Sequence, residues 1–248
     1  MESICSMNSQ VKKKLIYLDL QAQKKLKKKN VNFYKFGKKD KLNKFFKIIS
    51  KKKESIFIII CNGSNGKVGK LEDITLKSFI NSFNINFFSV VEIIIEYLKN
   101  FKNQKKKIIV FSGGGAFSPF PRFDSYATSK TALVRLVENL SEEYREDLQI
   151  NAIAPGFNFT NIHKRLLQEN SKKEIGYRYY NFLIKNKKAA NNFPKIKKLI
   201  KLIFFKKNYK IRGKTISVNF DGWEKNKFIK NIRKINNSNY LTLKRVNR

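Results

Sequence analysis

Cysteine is nearly absent from this chain: Cys5 and Cys61 are the only two in 248 residues. That leaves no disulfide framework and no zinc-binding pattern, and it fits a reducing compartment. His163 is the sole histidine; standing without partners in the sequence, it is assigned no ligand or base role. Long hydrophobic runs are missing too. The longest, Ile56 to Cys61, falls far short of the roughly 20 apolar residues that span a bilayer. No basic segment leads into a long apolar run near Met1, so neither a signal peptide nor an anchor is expected, and the chain reads as soluble and cytoplasmic. Acidic residues are scarce: 18 against 54 lysines and arginines, a formal net charge of +36.

Such a charge admits two readings. A polyanion partner would be gripped by lysine and arginine with release of counterions. Alternatively, lysine is simply the default surface residue. Lysine far outnumbers arginine, whereas nucleic-acid sites favour the bidentate arginine fork. The runs Lys12–Lys14, Lys27–Lys29, Lys51–Lys53 and Lys105–Lys107 fall at the ends of expected elements, not along one face. The second reading is therefore preferred, and no specific nucleic-acid partner or membrane is expected.

What is present alternates strand and helix. Leu15–Leu20 and Val31–Phe36 read as strands, Gln21–Asn30 as a short basic helix, and Asp40–Ile49 as a helix with Leu42, Phe45, Phe46 and Ile49 inward. Ile56–Ile60 is almost wholly apolar, as a strand covered on both faces must be. A helix follows with Val90, Val91, Ile94, Ile95 and Leu98 along it. Pro194–Phe205 reads as an amphipathic basic helix; an anionic membrane could take such a face, but the proline in its first turn and the strand that follows favour a helix covering the sheet, and Ile211–Val218 reads as the last strand. The pattern is doubly wound α/β: one Rossmann-like parallel sheet with helices on both faces over 1–223, then a basic, Asn-rich tail, 224–248, expected to be disordered.

The most informative stretch is 107–160. Ile108-Ile109-Val110-Phe111 stops at Ser112-Gly113-Gly114-Gly115, a strand entering a glycine turn. A helix starts at Tyr126-Ala127-Thr128-Ser129-Lys130, with Leu133, Val134, Val137 and Leu140 on one face, and a second strand, Gln149–Ala154, ends at Pro155-Gly156. This is one βαβ unit. Residues four apart share a helix face, so the Lys130 ammonium can sit beside the Tyr126 phenol. A neighbouring cation lowers a phenol from near ~10 by about 1 to 3 pH units, which would make Tyr126 a proton donor or acceptor near neutrality. By itself the spacing is more often that of an ordinary surface pair.

Taken together, the strand ending in SGGGA, the YATSK helix start and NAIAPG followed by Thr160 resemble the second half of the short-chain dehydrogenase/reductase family, with a "GK-x-IS…DGW" ending near 213–223 that extends the likeness. The resemblance implies an oxidoreductase that moves hydride between NAD or NADP and a carbonyl or alcohol carbon of a small molecule. It implies Tyr126 as acid/base, Lys130 as the group that lowers its pKa and binds the ribose, Asn86 as support for a water relay, and Pro155, Gly156 and Thr160 around the nicotinamide. Asn62 and Gly63 would belong to a degraded NNAG turn on the adenine side. Asp19, at the end of the presumed second strand, would bind ribose hydroxyls and favour NAD; a solvated strand-end carboxylate is the competing reading. Family members commonly pair the helices after Asn86 and after Tyr126 between subunits, so a dimer or tetramer is expected. No metal is.

Two features of the family are missing. No glycine-rich phosphate loop precedes Leu15, and Gly66-Lys67-Val68-Gly69 comes after the wrong strand. The chain therefore reads as lacking the family's first strand and helix, which should make Leu15–Leu20 pair directly with Ile56–Ile60 or leave the core poorly closed. Gly113 stands where the family places the serine that polarises the substrate carbonyl. Ser112, one residue away, is the nominal substitute, though a one-residue step turns a strand side chain to the other face; Ser118 and a glycine N–H are further candidates. Both absences suit an alternative, a non-catalytic SDR-like scaffold or binding protein that no longer holds cofactor.

Overall fold

A computed structural model of the chain describes residues 14–18, 31–34, 39–51, 56–102, 104–189 and 191–243. Among the described residues six strands form one parallel sheet: β1 (Lys14–Leu18), β2 (Val31–Tyr34), β3 (Ile56–Ile60), β4 (Lys106–Phe111), β5 (Leu148–Ala154) and β6 (Thr215–Ser217), in the order β2-β1-β3-β4-β5-β6. β1 pairs directly with β3, from Lys14 opposite Ile56 to Leu18 opposite Ile60. This is the first of the two arrangements the sequence allowed. The basic helix expected over 21–30 and the ribose-binding Asp19 lie outside the described residues.

Every central strand is apolar on both faces because both faces are covered. Phe57, Ile59, Ile109 and Ile153 point to one side, where α8 (Phe193–Phe205) packs with Ile196, Leu199, Ile200, Ile203 and Phe204. Ile58, Ile60, Ile108, Val110, Ile150 and Ala152 point to the other. There they meet α1 (Lys39–Ser50) through Leu42, Phe45, Phe46 and Ile49, α3 (Ser89–Asn100) through Val90, Ile93, Ile94 and Tyr97, and α4 (Asp124–Glu143) through Leu133 and Val137. The inner stripe of α3 is thus shifted from the expected one: Ile95 is exposed and Ile93 and Tyr97 take the core positions.

Lysine serves this layering directly. Lys106 Nζ donates to the carbonyls of Phe101 and Gln104 just past the end of α3, and Lys107 Nζ to those of Ile203 and Phe204 at the end of α8. Adjacent residues on a strand face opposite ways, so two consecutive lysines close two helix C-termini on the two faces of the sheet, where orphan carbonyls and the helix dipole both favour a cation.

α2 (Leu76–Phe83) continues through a π-helical turn (Asn84–Phe88) into α3. Among the described residues this 25-residue stretch is long and apolar enough to cross a membrane by length and composition. Here its inner face is packed on the sheet.

Two expectations are corrected. The last strand is only Thr215–Ser217, shorter than 211–218: Ile211 O is taken by the Asn151 side chain, whose Nδ2 donates to it and whose Oδ1 accepts from Lys214 N, while Gly213 N to Ile150 O and Ala152 N to Lys214 O remain as the main-chain bonds to β5. The segment after Trp223 is not a loose tail as far as residue 243. It forms α9 (Asn226–Lys230) and α10 (Ile232–Asn236), which bury Phe228, Ile232 and Ile235 in the core beside Trp223. Three apolar residues at helical spacing suffice to anchor an otherwise basic segment.

Candidate active site

The strands β3, β4 and β5 all end at one edge of the sheet, where open α/β sheets bind ligands. Three turns emerge there, beginning at Cys61, Ser112 and Pro155, and the first turns of α4 run alongside them. Lys130, on α4, is buried at 2% exposure and its ammonium donates to Asn62 O at 2.7 Å and Phe111 O at 2.9 Å. It thereby ties the end of β4 to the turn after β3. Burial lowers its pKa to about 8, and the Cys61 thiol opposes that shift.

Tyr126 lies one turn earlier on α4, with its hydroxyl directly over Gly113. A β-carbon built on Gly113 would fall 2.0 Å from the phenol oxygen and 3.0 Å from Cζ. Gly113 has extended backbone, φ −157 and ψ 170, so its glycine identity is a matter of space and not of dihedral angle. Among the described residues the phenol oxygen has no hydrogen-bond partner. Burial pushes its pKa up to about 12. The sequence reading anticipated a phenol acidified by Lys130. The structure reverses the direction, because desolvation disfavours the phenolate and the ammonium spends two donors on main-chain carbonyls.

Ser112 does not join this pair. Gly113 directs its β position at Tyr126, so the preceding side chain faces the opposite side of the extended segment. Ser112 is buried and its Oγ has no partner. Ser118 sits exposed in the following loop. Neither serine replaces the missing hydroxyl beside the phenol.

Asn86 lies in the π-helical turn, a feature frequent at functional sites, and is fully buried. Its Oδ1 accepts from Ser64 N (2.8 Å) and its Nδ2 donates to Ser64 O (2.9 Å) and Ser129 Oγ (2.9 Å). None of these bonds goes to Lys130. Asn86 instead clamps the turn after β3 to α4, and so fixes the Asn62 carbonyl that Lys130 holds. Asn62 also donates from Nδ2 to Ser89 Oγ at 2.7 Å, while its buried Oδ1 is unpartnered. Gly63 next to it has open space where a side chain would stand.

On the β5 side, Gly156 takes φ +70 and a β-carbon there would meet Asn219 Nδ2 at 2.5 Å and Asn192 Nδ2 at 2.9 Å, so the turn is compressed between two loops. Asn158 fastens it: Nδ2 donates to Pro155 O and Gly156 O, and Oδ1 accepts from Asn192 N at 2.6 Å, at the start of α8. Thr160 is the N-cap of α5 (Asn161–Glu169), and its N–H donates to His163 Nδ1 at 3.2 Å. That bond requires a lone pair on Nδ1, and burial lowers the His163 pKa in the same sense. The histidine without a role in the sequence is a helix cap.

Two contributions escaped sequence reasoning. Ser129, inside the YATSK stretch, is the α4 anchor for Asn86. The ring of Phe120 packs 6.3 Å from that of Tyr126 and 5.0 Å from Tyr179 on α7 (Tyr177–Lys185), a contact across distant segments that no local pattern announces.

The family model for short chain dehydrogenases matches residues 10–171. The chain belongs to that family. Among curated proteins it is similar to an uncharacterized oxidoreductase of Schizosaccharomyces pombe, 30% identical over 125 residues that make up 50% of each chain. It is also similar to dehydrogenase/reductase SDR family member 4 of Oryctolagus cuniculus, 29% identical across 48% of this chain and 47% of that one. The chain thus spans about half the length of these curated relatives. Among solved structures, the KRED1-Pglu enzyme superposes with a TM-score of 0.68 at 15% identity, covering 87% of this chain and 92% of the other. ElxO with NADP bound gives 0.62 at 22% identity over 76% and 77%. At these identities the structural likeness establishes the Rossmann-like fold.

Proposed function

We propose that this short-chain dehydrogenase transfers hydride between a nicotinamide dinucleotide, NAD or NADP, and a carbonyl or alcohol carbon. The observation that carries the reading is the unpartnered Tyr126 hydroxyl beside a turn pinned by Lys130, at the carboxyl ends of the central strands. The NADP bound in the related ElxO structure supports a nicotinamide cofactor. So does the chemistry of the donor set. Asn62 Oδ1 is a buried acceptor with nothing to accept from. Lys130 has used two of its three donors. Gly63 leaves its side clear. Lys130, Asn62 and Gly63 would hold the ribose side, and Pro155, Gly156 and Thr160 the nicotinamide side.

A nicotinamide held there would supply or accept the hydride. Tyr126 moves the accompanying proton: its neutral phenol gives it to the carbonyl oxygen in reduction and the phenolate takes it back in oxidation. With its pKa up at about 12 the phenol keeps its proton at neutral pH, the form that reduction needs. Asn86 acts as a positioning residue through the 62–64 turn. The exposed apolar side chains Leu76, Ile80, Phe88 and Ile95 along α2, the π-helical turn and α3 support a second copy packed on that face.

Titrating NADH and NADPH into the purified chain, followed by nicotinamide fluorescence, tests the reading. A saturable change with at least one of them is expected. No change at millimolar concentrations of both would retire the enzyme and favour a scaffold that no longer holds cofactor.

A further inference from the structure

We propose that the rings of Phe120, Tyr126 and Tyr179 form a binding wall for a flat, uncharged aromatic group next to the reacting carbon, with Tyr179 as the residue that sets this preference. The proposal names a substrate class for the dehydrogenase reading above and rests on that reading for its chemistry, though not for its binding test.

The wall is assembled from three separate segments. Phe120 leaves the glycine turn after β4 and lies so close to Gly115 that a β-carbon there would be 3.1 Å from its Cδ1. It stacks on Phe123 with centroids 4.4 Å apart and planes 13° apart. Tyr179 closes on both edge-on, 5.0 Å and 88° from Phe120 and 5.2 Å and 82° from Phe123. Tyr126 meets Phe120 edge-on at 6.3 Å and 65°. From Tyr179 the rings continue outward to Phe182, 5.8 Å away and 40% exposed, which also packs 4.8 Å from the half-buried Phe157. An aromatic path therefore runs from the surface to the phenol that would move the proton.

Beside this wall the floor is bare. Gly114 is exposed and has no atom within 4 Å of its β position. A ring laid over it would lie beside Phe120, which borders the neighbouring Gly115, and could meet that ring edge to face, the arrangement aromatic pairs favour. The rings themselves carry no charge. Burial holds the Tyr179 phenol at about 12, with Tyr126 nearby adding to the rise, so both stay neutral. Lys164 and Arg165 of α5 are exposed to solvent. An anionic group laid against these rings would lose hydration without meeting a cation on the rings themselves.

The test measures binding to the full chain without cofactor, by saturation-transfer NMR and titration calorimetry. The ligands are acetophenone, the straight-chain ketone 2-octanone of equal carbon count, and the anionic 4-acetylbenzoate. Acetophenone should bind about tenfold tighter than 2-octanone and tighter than 4-acetylbenzoate. The preference should persist in Tyr179→Phe and fall to near parity in Tyr179→Ala and in Tyr179→Leu, which keeps bulk without a ring should the alanine variant unfold. Equal binding of the two ketones, stronger binding of 4-acetylbenzoate, or an undiminished preference in Tyr179→Leu overturns the wall. Ring preference without any nicotinamide response would sink the dehydrogenase reading and leave the wall standing. Turnover of both ketones without preference would do the reverse.

Discussion

Gly113 and Tyr126 share a space that can hold a β-carbon or a hydroxyl but not both. Gly113→Ala should therefore displace the phenol, with a cost of about 1 to 3 kcal/mol and a fall in turnover. In the Tyr126→Phe background the same substitution should cost less, because the overlapping oxygen is gone. A double-mutant cycle in urea reads the coupling directly. Lys130 sets a pH dependence whose sign follows from its depressed folded-state pKa of about 8 against an ordinary 10.5. Between those values the unfolded chain binds the extra proton, so the lysine's share of stability grows as pH rises through that window and is lost as pH falls through about 8. The stability difference between wild type and Lys130→Met should accordingly shift in favour of wild type by about 2 kcal/mol from roughly pH 7.5 to 9.5. Reductive activity should move the other way. Above about pH 8 Lys130 becomes an amine with two N–H groups, both already committed to carbonyls, and kcat/KM for carbonyl reduction should decline.

Elements, more than single side chains, fix where the site stands. The turn after β3 is held by Asn86 on one side and Lys130 on the other. Asn86→Ala removes three hydrogen bonds from a fully buried position and should cost about 2 to 4 kcal/mol in chemical denaturation. In any active preparation it should also weaken nicotinamide binding, through loss of the turn. The central strands and α4 were legible in the sequence because burial on both faces removes polar alternation, and because a phenol and an ammonium four residues apart occupy one helix face whatever surrounds them. The pKa directions were not legible, since desolvation is set by Phe120, Tyr179 and the sheet ends, all distant in sequence. Nor were α9 and α10. Phe228, Ile232 and Ile235 lie in a lysine- and asparagine-rich background whose composition alone reads as disorder, and only their fit beside Trp223 and Tyr209 makes them core. Ile232→Ala should cost about 2 to 4 kcal/mol; a midpoint unchanged from wild type would restore the loose-tail reading.

At the scale of the whole molecule, the surplus of lysine is partly structural, as Lys106 and Lys107 show at two helix ends, while four exposed apolar side chains, Leu76, Ile80, Phe88 and Ile95, share one helical stretch. Leu76 is 74% exposed and Phe88 53%, more than a helix facing water alone requires. Mass measurement in solution should give a dimer or a higher even assembly, and a charge placed there, as in Phe88→Glu, should shift it toward monomer without altering the fold. A wild-type chain that stays monomeric at tens of micromolar would remove this face as an interface. The central claim concerns chemistry, and it is tested most directly by comparing wild type and Tyr126→Phe in single-turnover reduction of acetophenone with saturating reduced nicotinamide. Cofactor affinity should match within about twofold while the reduction rate falls by about a hundredfold or more. Equal rates in the two proteins would contradict the assignment of the proton to Tyr126.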